Sequence, residues 1–71
     1  MEIIISEIWG TKKGAIVVDC LNGMTFKVNK RILKRLREEA GLCSLINAKV
    51  KESNGTIYDF PEIIDFTVIE K

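Results

Sequence analysis

MTFKVNKRILKRLREEAG, residues 24–41, changes its hydrophobic period at Asn29. Before Asn29, apolar and polar side chains alternate, which is the period of a strand with one buried face. After Asn29, the apolar side chains recur at helical spacing and fall on one side of a helix over 30–40. Asn29 is a favoured N-cap, and Gly41 fits the left-handed position after a helix, with Leu42 expected to fold back on the last turn. The stretch therefore predicts a strand that leads directly into one amphipathic helix.

Two segments before this stretch have the composition of strands. Residues 2–9, EIIISEIW, and residues 15–21, AIVVDCL, are short, apolar and rich in β-branched side chains. The intervening segment 10–14, GTKKG, has glycine at both ends, which predicts an exposed turn with two lysines at its tip.

The dipeptide Asn22-Gly23 predicts a tight hairpin between the second and third strands. A two-residue type I′ turn, with positive φ at both residues, would place Asp19 across from Phe26 on a face of large apolar side chains. A carboxylate there needs a backbone N–H, a lysine or water as its partner. The alternative is a catalytic carboxylate with a raised pKa.

Further strands are expected after the helix, at 46–52 (INAKVKE) and 63–69 (IIDFTVI). Between them, a three-residue loop at 53–55 leads into another strand, which keeps apolar residues on one face by setting Tyr58 across from Val50 and Phe60 across from Ala48. This loop requires Gly55 in the left-handed conformation, and Pro61 then interrupts the ladder.

The element order is thus three strands, one helix and three further strands within a single domain, residues 1–71. This mostly β, α+β order, βββ-α-βββ, predicts a small five- to six-stranded β-barrel with OB-like order, which places its helix between the third and fourth strands. An SH3-like barrel and an open antiparallel sheet with one helix are the alternatives.

Composition excludes several classes of function. The 71 residues include no histidine and only two cysteines, which removes the commonest general base and leaves no basis for a zinc site. Phosphate-binding and nucleophile motifs are absent, so we expect neither an enzyme nor a bound cofactor or metal. The chain start lacks the features of a secretory signal and no apolar run is long enough to span a membrane, so a cytoplasmic location is expected, with Cys20 and Cys43 as buried, reduced and inert thiols.

The charges are unevenly distributed, although the net charge is only +1. Basic residues crowd the start of the helix and Glu38-Glu39 follow them, an order opposite to the one that the helix dipole favours. A bound phosphate or carboxylate would reverse this unfavourable effect. The simpler interpretation is a solvated helix face, with lysines on strand edges that prevent aggregation.

The leading hypothesis is a non-catalytic domain that binds RNA or another single-stranded nucleic acid through the basic helix face and the lysine turn. The predicted contact residues are Lys12, Lys13, Lys30, Arg31, Lys34 and Arg35, with Trp9 and Tyr58 as stacking platforms. Phe26, Phe60 and Phe66 are expected in the core, because a domain of this size needs most of its aromatic side chains there. The alternative is a protein-interaction module or a homodimeric structural subunit, in which the Ile3-Ile4-Ile5 strand or the final strand adds to a partner's sheet edge.

Overall fold

The computed structural model describes residues 1–52 and 60–71, which form five strands and one helix. The strands are β1 (Glu2–Gly10), β2 (Gly14–Asp19), β3 (Thr25–Asn29), β4 (Leu45–Lys51) and β5 (Glu62–Glu70). Helix α1 (Lys30–Arg35) continues as a π-helical turn over Leu36–Ala40. Within the described part of the chain, no helix has the length and hydropathy needed to cross a bilayer.

The strands close into a barrel in the order β1-β2-β3-β5-β4, with β3 and β5 parallel and the other pairs antiparallel. The helix connects β3 to β4, so the small barrel with OB-like order is confirmed. Closure requires β1 to pair on both sides, through Glu2–Ile4 with β4 and Ile5–Gly10 with β2. A bulge between Ile5 and Glu7 bends the strand between these two pairings.

The apolar face of the helix packs onto the barrel interior as its periodicity predicts. Ile32 and Leu36 are fully buried, and the inward positions of the strands complete the core with residues that include Phe26 and Phe66. The Asn29 side chain accepts a hydrogen bond of 2.9 Å from the Ile32 N–H, which confirms the predicted N-cap.

The end of the helix differs from the prediction. Gly41 has a positive φ of 101°, but its ψ of −172° is extended rather than left-handed helical. The last turn before it is π-helical, so the chain leaves the helix in another direction, and Leu42 is 61% exposed instead of folding back.

The hairpin between β2 and β3 is two residues longer than predicted. Val17 lies across from Phe26, and the Asp19 N–H donates to the Met24 carbonyl at 2.8 Å, so four residues lie between this hydrogen-bonded pair. Gly23 has a positive φ of 70°, whereas Asn22 does not, so the type I′ turn is wrong. The longer loop forms because the Asp19 carboxylate accepts hydrogen bonds from the loop backbone.

The predicted pairing of Ala48 with Phe60 is also wrong. Val50 lies across from Ile63 and Ala48 across from Phe66, so β4 pairs with the final strand. Phe60 lies outside any strand and is 38% exposed, rather than part of the core. The predictions for Gly55 and Tyr58 lie outside the described residues.

The two cysteines are free but not buried. Cys20 begins the loop after β2, and Cys43 lies in the turn before β4 with a positive φ of 66°. Both side chains are exposed because each follows the end of a regular element instead of occupying an inward strand position. The predicted burial of the thiols is therefore wrong.

Candidate nucleic-acid interface

Three strands present one transverse row of side chains on the outside of the barrel. Trp9 of β1 lies across from Ile16 of β2, which lies across from Lys27 of β3. The neighbouring β2 residues Ala15 and Val17 are buried, so alternation directs this row away from the core. The Trp9 side chain is 60% exposed and forms one end of the row.

A groove continues this row towards the end of the barrel. Lys13, Ile16, Lys27, Asn29, Phe60 and Glu62 are among its lining residues. Its volume is ≈ 450 Å³, it combines an exposed aromatic ring with two lysines, and exposed Lys12 adjoins it at the tip of the β1–β2 turn. We call this groove, together with Trp9 and Lys12, the strand face.

The helix begins at the rim of the strand face. Lys30 directly follows Asn29, one of the groove residues, and is exposed. Arg31 and Lys34 are also exposed on the outer side of the helix. Lys30 is therefore the predicted helix contact that directly follows a residue of the groove lining.

The Arg35 side chain contacts other residues of the same chain. Its guanidinium donates to Glu39 at 3.0 Å and to Asp65 at 2.7 Å, and it lies 4.6 Å from the centroid of the Phe66 ring. Hydrogen bonds to Glu39 and Asp65 raise the pKa of the guanidinium, and the same guanidinium lowers the pKa of Asp65. The predicted role of Arg35 as a free phosphate contact does not fit this arrangement.

Asp19 is a structural carboxylate, 1% exposed and fully hydrogen-bonded. It accepts from the backbone N–H groups of Ile4, Leu21 and Asn22, and from the Asn22 side chain. Burial raises the pKa of the carboxyl, but these four hydrogen bonds outweigh burial and lower it overall. The predicted backbone partners are confirmed, and the lowered pKa is opposite to the raised pKa expected of a catalytic carboxylate.

The structure brings part of the predicted site together. The strand face includes Trp9, Lys12 and Lys13, and Lys30 directly follows one of its lining residues. Arg35 is directed to β5 instead. Tyr58 lies outside the described residues. Phe60 was missed as a site residue. The available signal was its position before Pro61, because proline lacks the N–H that a strand ladder needs, and Phe60 lies outside a strand.

The alternative hypothesis suggested two strand edges, and the first of them is occupied. Ile3 and Ile5 are fully buried, and this part of β1 pairs with β4 on one side and with the end of β2 on the other. On β5, the Phe66 carbonyl accepts a hydrogen bond from Arg35 at 3.3 Å. Among the described residues, the Ile3–Ile5 segment therefore has partners on both sides, whereas β5 beyond Glu62 has a strand partner only in β4.

Within residues 1–52 and 60–71, no three carboxylate or thiol side chains are grouped so that they could hold a metal ion. No protein-family model, curated protein or solved structure matches this chain. Function must therefore be argued from the geometry of the barrel surface.

Proposed function

We propose that this protein is a non-catalytic domain that binds RNA or another single-stranded nucleic acid on the strand face. The observation that carries the proposal is the exposed Trp9 ring in one transverse row with Ile16 and Lys27, beside the lysine turn. In the OB arrangement, the face of the second and third strands and the adjoining loops is where oligonucleotides bind.

The chemistry of the strand face suits a single strand better than a duplex. Trp9 and Phe60 offer exposed rings on which unpaired bases can stack, and stacking contributes about 1–3 kcal/mol per base. Lys12 and Lys13 project from the turn, where they can follow the phosphate backbone. Bases in a duplex are already stacked on each other, so they cannot use the rings.

Lys30, Arg31 and Lys34 extend the positive surface beyond the groove. They are exposed on the helix that begins at its rim, so they can contact phosphates of a strand that extends beyond the groove. Arg35 is excluded from this set because of its contacts with Glu39 and Asp65.

The test is a titration with a single-stranded oligouridine of about 12 nucleotides, followed by the fluorescence of Trp9, the only tryptophan. Affinity should fall steeply between about 50 and 200 mM salt, and replacing Lys12 and Lys13 by glutamate should weaken binding and make the salt dependence shallower. The matched control replaces Lys49 and Lys71 by glutamate, which makes the same change in net charge away from the strand face. Equal losses in both double variants, or no binding by the parent at low salt, would overturn the proposal.

A further inference from the structure

The second half of β1 has an open edge. The ladder between β1 and β4 ends at Ile4, and Ile5 continues it by donating to the Ser44 carbonyl at 3.1 Å and accepting from the Cys43 N–H at 2.7 Å. The chain then turns away towards the helix. From Ser6 to Gly10, β1 pairs with β2 alone among the described residues.

The hydrogen-bond pattern identifies which backbone groups face this open edge. The Thr11 N–H donates to the Gly14 carbonyl, so these two residues form a hydrogen-bonded pair. In an antiparallel ladder, hydrogen-bonded pairs alternate with pairs that are not hydrogen-bonded. Trp9 and Glu7 therefore direct their backbone groups to β2. Ile8 and Gly10 therefore direct theirs away from β2, and no described atom bonds to them there. Two residues spaced in this way match the backbone of one added strand.

A second groove, the β1-edge groove, runs beside these groups. One wall is formed by Ser6–Trp9 and the other by Arg37, Gly41 and Leu42, and its volume is ≈ 510 Å³. The exposed Leu42 side chain provides an apolar contact, and Arg37 is the one cation among the lining residues. The free backbone groups of Ile8 and Gly10 suit an added strand, and the Arg37 guanidinium suits an acidic side chain on that strand.

We propose that the β1-edge groove binds an extended peptide segment of a partner protein, which adds to β1 as a further strand. The segment carries an apolar side chain against Leu42 and an acidic side chain two positions away, on the same face, against Arg37. Main-chain hydrogen bonds to Ile8 and Gly10 supply affinity, and the two side-chain contacts supply specificity. This surface is separate from the lysine turn, although Trp9 lies at the border of both.

Gly10 offers a matched pair of variants. A Cβ atom built at Gly10 meets no atom within 4 Å, and its φ is not positive, so alanine fits there. Gly10→Pro removes the N–H on the open edge without removing a bond to β2, and proline is tolerated where a strand N–H faces solvent. Gly10→Ala keeps the N–H and controls for the added side chain.

The experiment titrates the protein with short synthetic peptides rich in Thr and Val that carry Leu and Glu two positions apart, using Trp9 fluorescence and backbone amide shifts. We expect saturable binding that shifts the amide resonances of Ile8 and Gly10. Gly10→Pro should lose three- to tenfold in peptide affinity, and Gly10→Ala should lose none. Arg37→Glu should prefer peptides that carry Lys in place of Glu. The Lys12 and Lys13 double variant should bind the peptides like the parent protein, which separates this proposal from nucleic-acid binding. Absence of binding by the whole series, equal affinity of Gly10→Pro and Gly10→Ala, or a parent dimer that Gly10→Pro converts to a monomer would overturn the proposal.

Discussion

Arg35 and Asp65 join the helix to the final strand, with the guanidinium nitrogen 2.7 Å from the carboxylate oxygen. The same guanidinium lies over the Phe66 ring and donates to the Phe66 carbonyl. A planar group can make these contacts together, because it presents a fork of donors at its edge and a flat surface to the ring. Arg35 therefore fixes the helix against β5.

Replacing Arg35 by methionine should lower the free energy of unfolding and leave oligonucleotide binding close to that of the parent protein. Arg35→Lys keeps the charge but loses the fork, so it should lose part of the same stability. Chemical denaturation and the fluorescence titration measure the two effects. A large loss of affinity in Arg35→Met with unchanged stability would show that Arg35 contacts the ligand instead.

The Asp19 carboxylate should make stability depend on pH in acid. Its folded-state pKa lies below the ordinary 3.8, so its contribution is present above pH 3.8 and is lost as the pH falls through the folded-state pKa. Asp19→Asn should be destabilised by about 2–4 kcal/mol at neutral pH, because an amide cannot replace all the accepted hydrogen bonds. Its stability should also vary less with pH between about 2 and 7 than that of the parent. Glu70→Gln, at an exposed carboxylate, is the control and should follow the parent.

Gly14 is a position that only glycine fits. A Cβ atom there would lie 2.0 Å from the Val28 carbonyl oxygen, and the φ of 157° is unfavourable for other residues. Gly14→Ala should therefore lose about 2 kcal/mol or more of stability. Gly10→Ala, at the other end of the same turn, meets nothing and should be nearly neutral. Thermal unfolding of the two variants checks the contrast, which equal melting temperatures would contradict.

The hydrophobic periodicity of the sequence predicted those features of the fold that depend on residues close together in the chain. The change of period at Asn29, the N-cap and the order of three strands followed by one helix all follow from local patterns, and each is present in the barrel. The length of the turn between β2 and β3 could not be predicted from local patterns, because it depends on hydrogen bonds to residues distant in the chain. Asp19 accepts a hydrogen bond from Ile4 of another strand as well as from its own loop, and this tertiary contact favours the four-residue connection over the type I′ turn.

The candidate site was predictable to a similar degree. Trp9 and the lysine turn were expected at a wet surface because of their composition, and the strand register then places Trp9 beside Ile16. The engagement of Arg35 was not predictable, since Asp65 is thirty residues away in the chain. Phe60 was assigned to the core because a small domain needs its aromatic residues there, and the pairing of β4 with β5 left it outside.

Lys30→Glu should raise stability while weakening oligonucleotide binding. The first turn of the helix contains no acidic residue, so a glutamate there should add about 0.3–1 kcal/mol by interacting with the dipole. Arg31→Glu should gain less, because the positive charge of Arg31 also acts on Asp65. Denaturation and titration of both variants are the measurements. A gain in stability without any change in affinity would assign Lys30 to a merely solvated surface.

The central claim, that the strand face binds a single strand, is tested most directly by mapping amide and indole shifts on addition of the oligouridine. The account predicts that the largest shifts fall on the Trp9 indole N–H and on the amides of Lys13, Ile16 and Lys27, and that they shrink as salt rises. Shifts confined to the helix, or their absence at low salt, would contradict it.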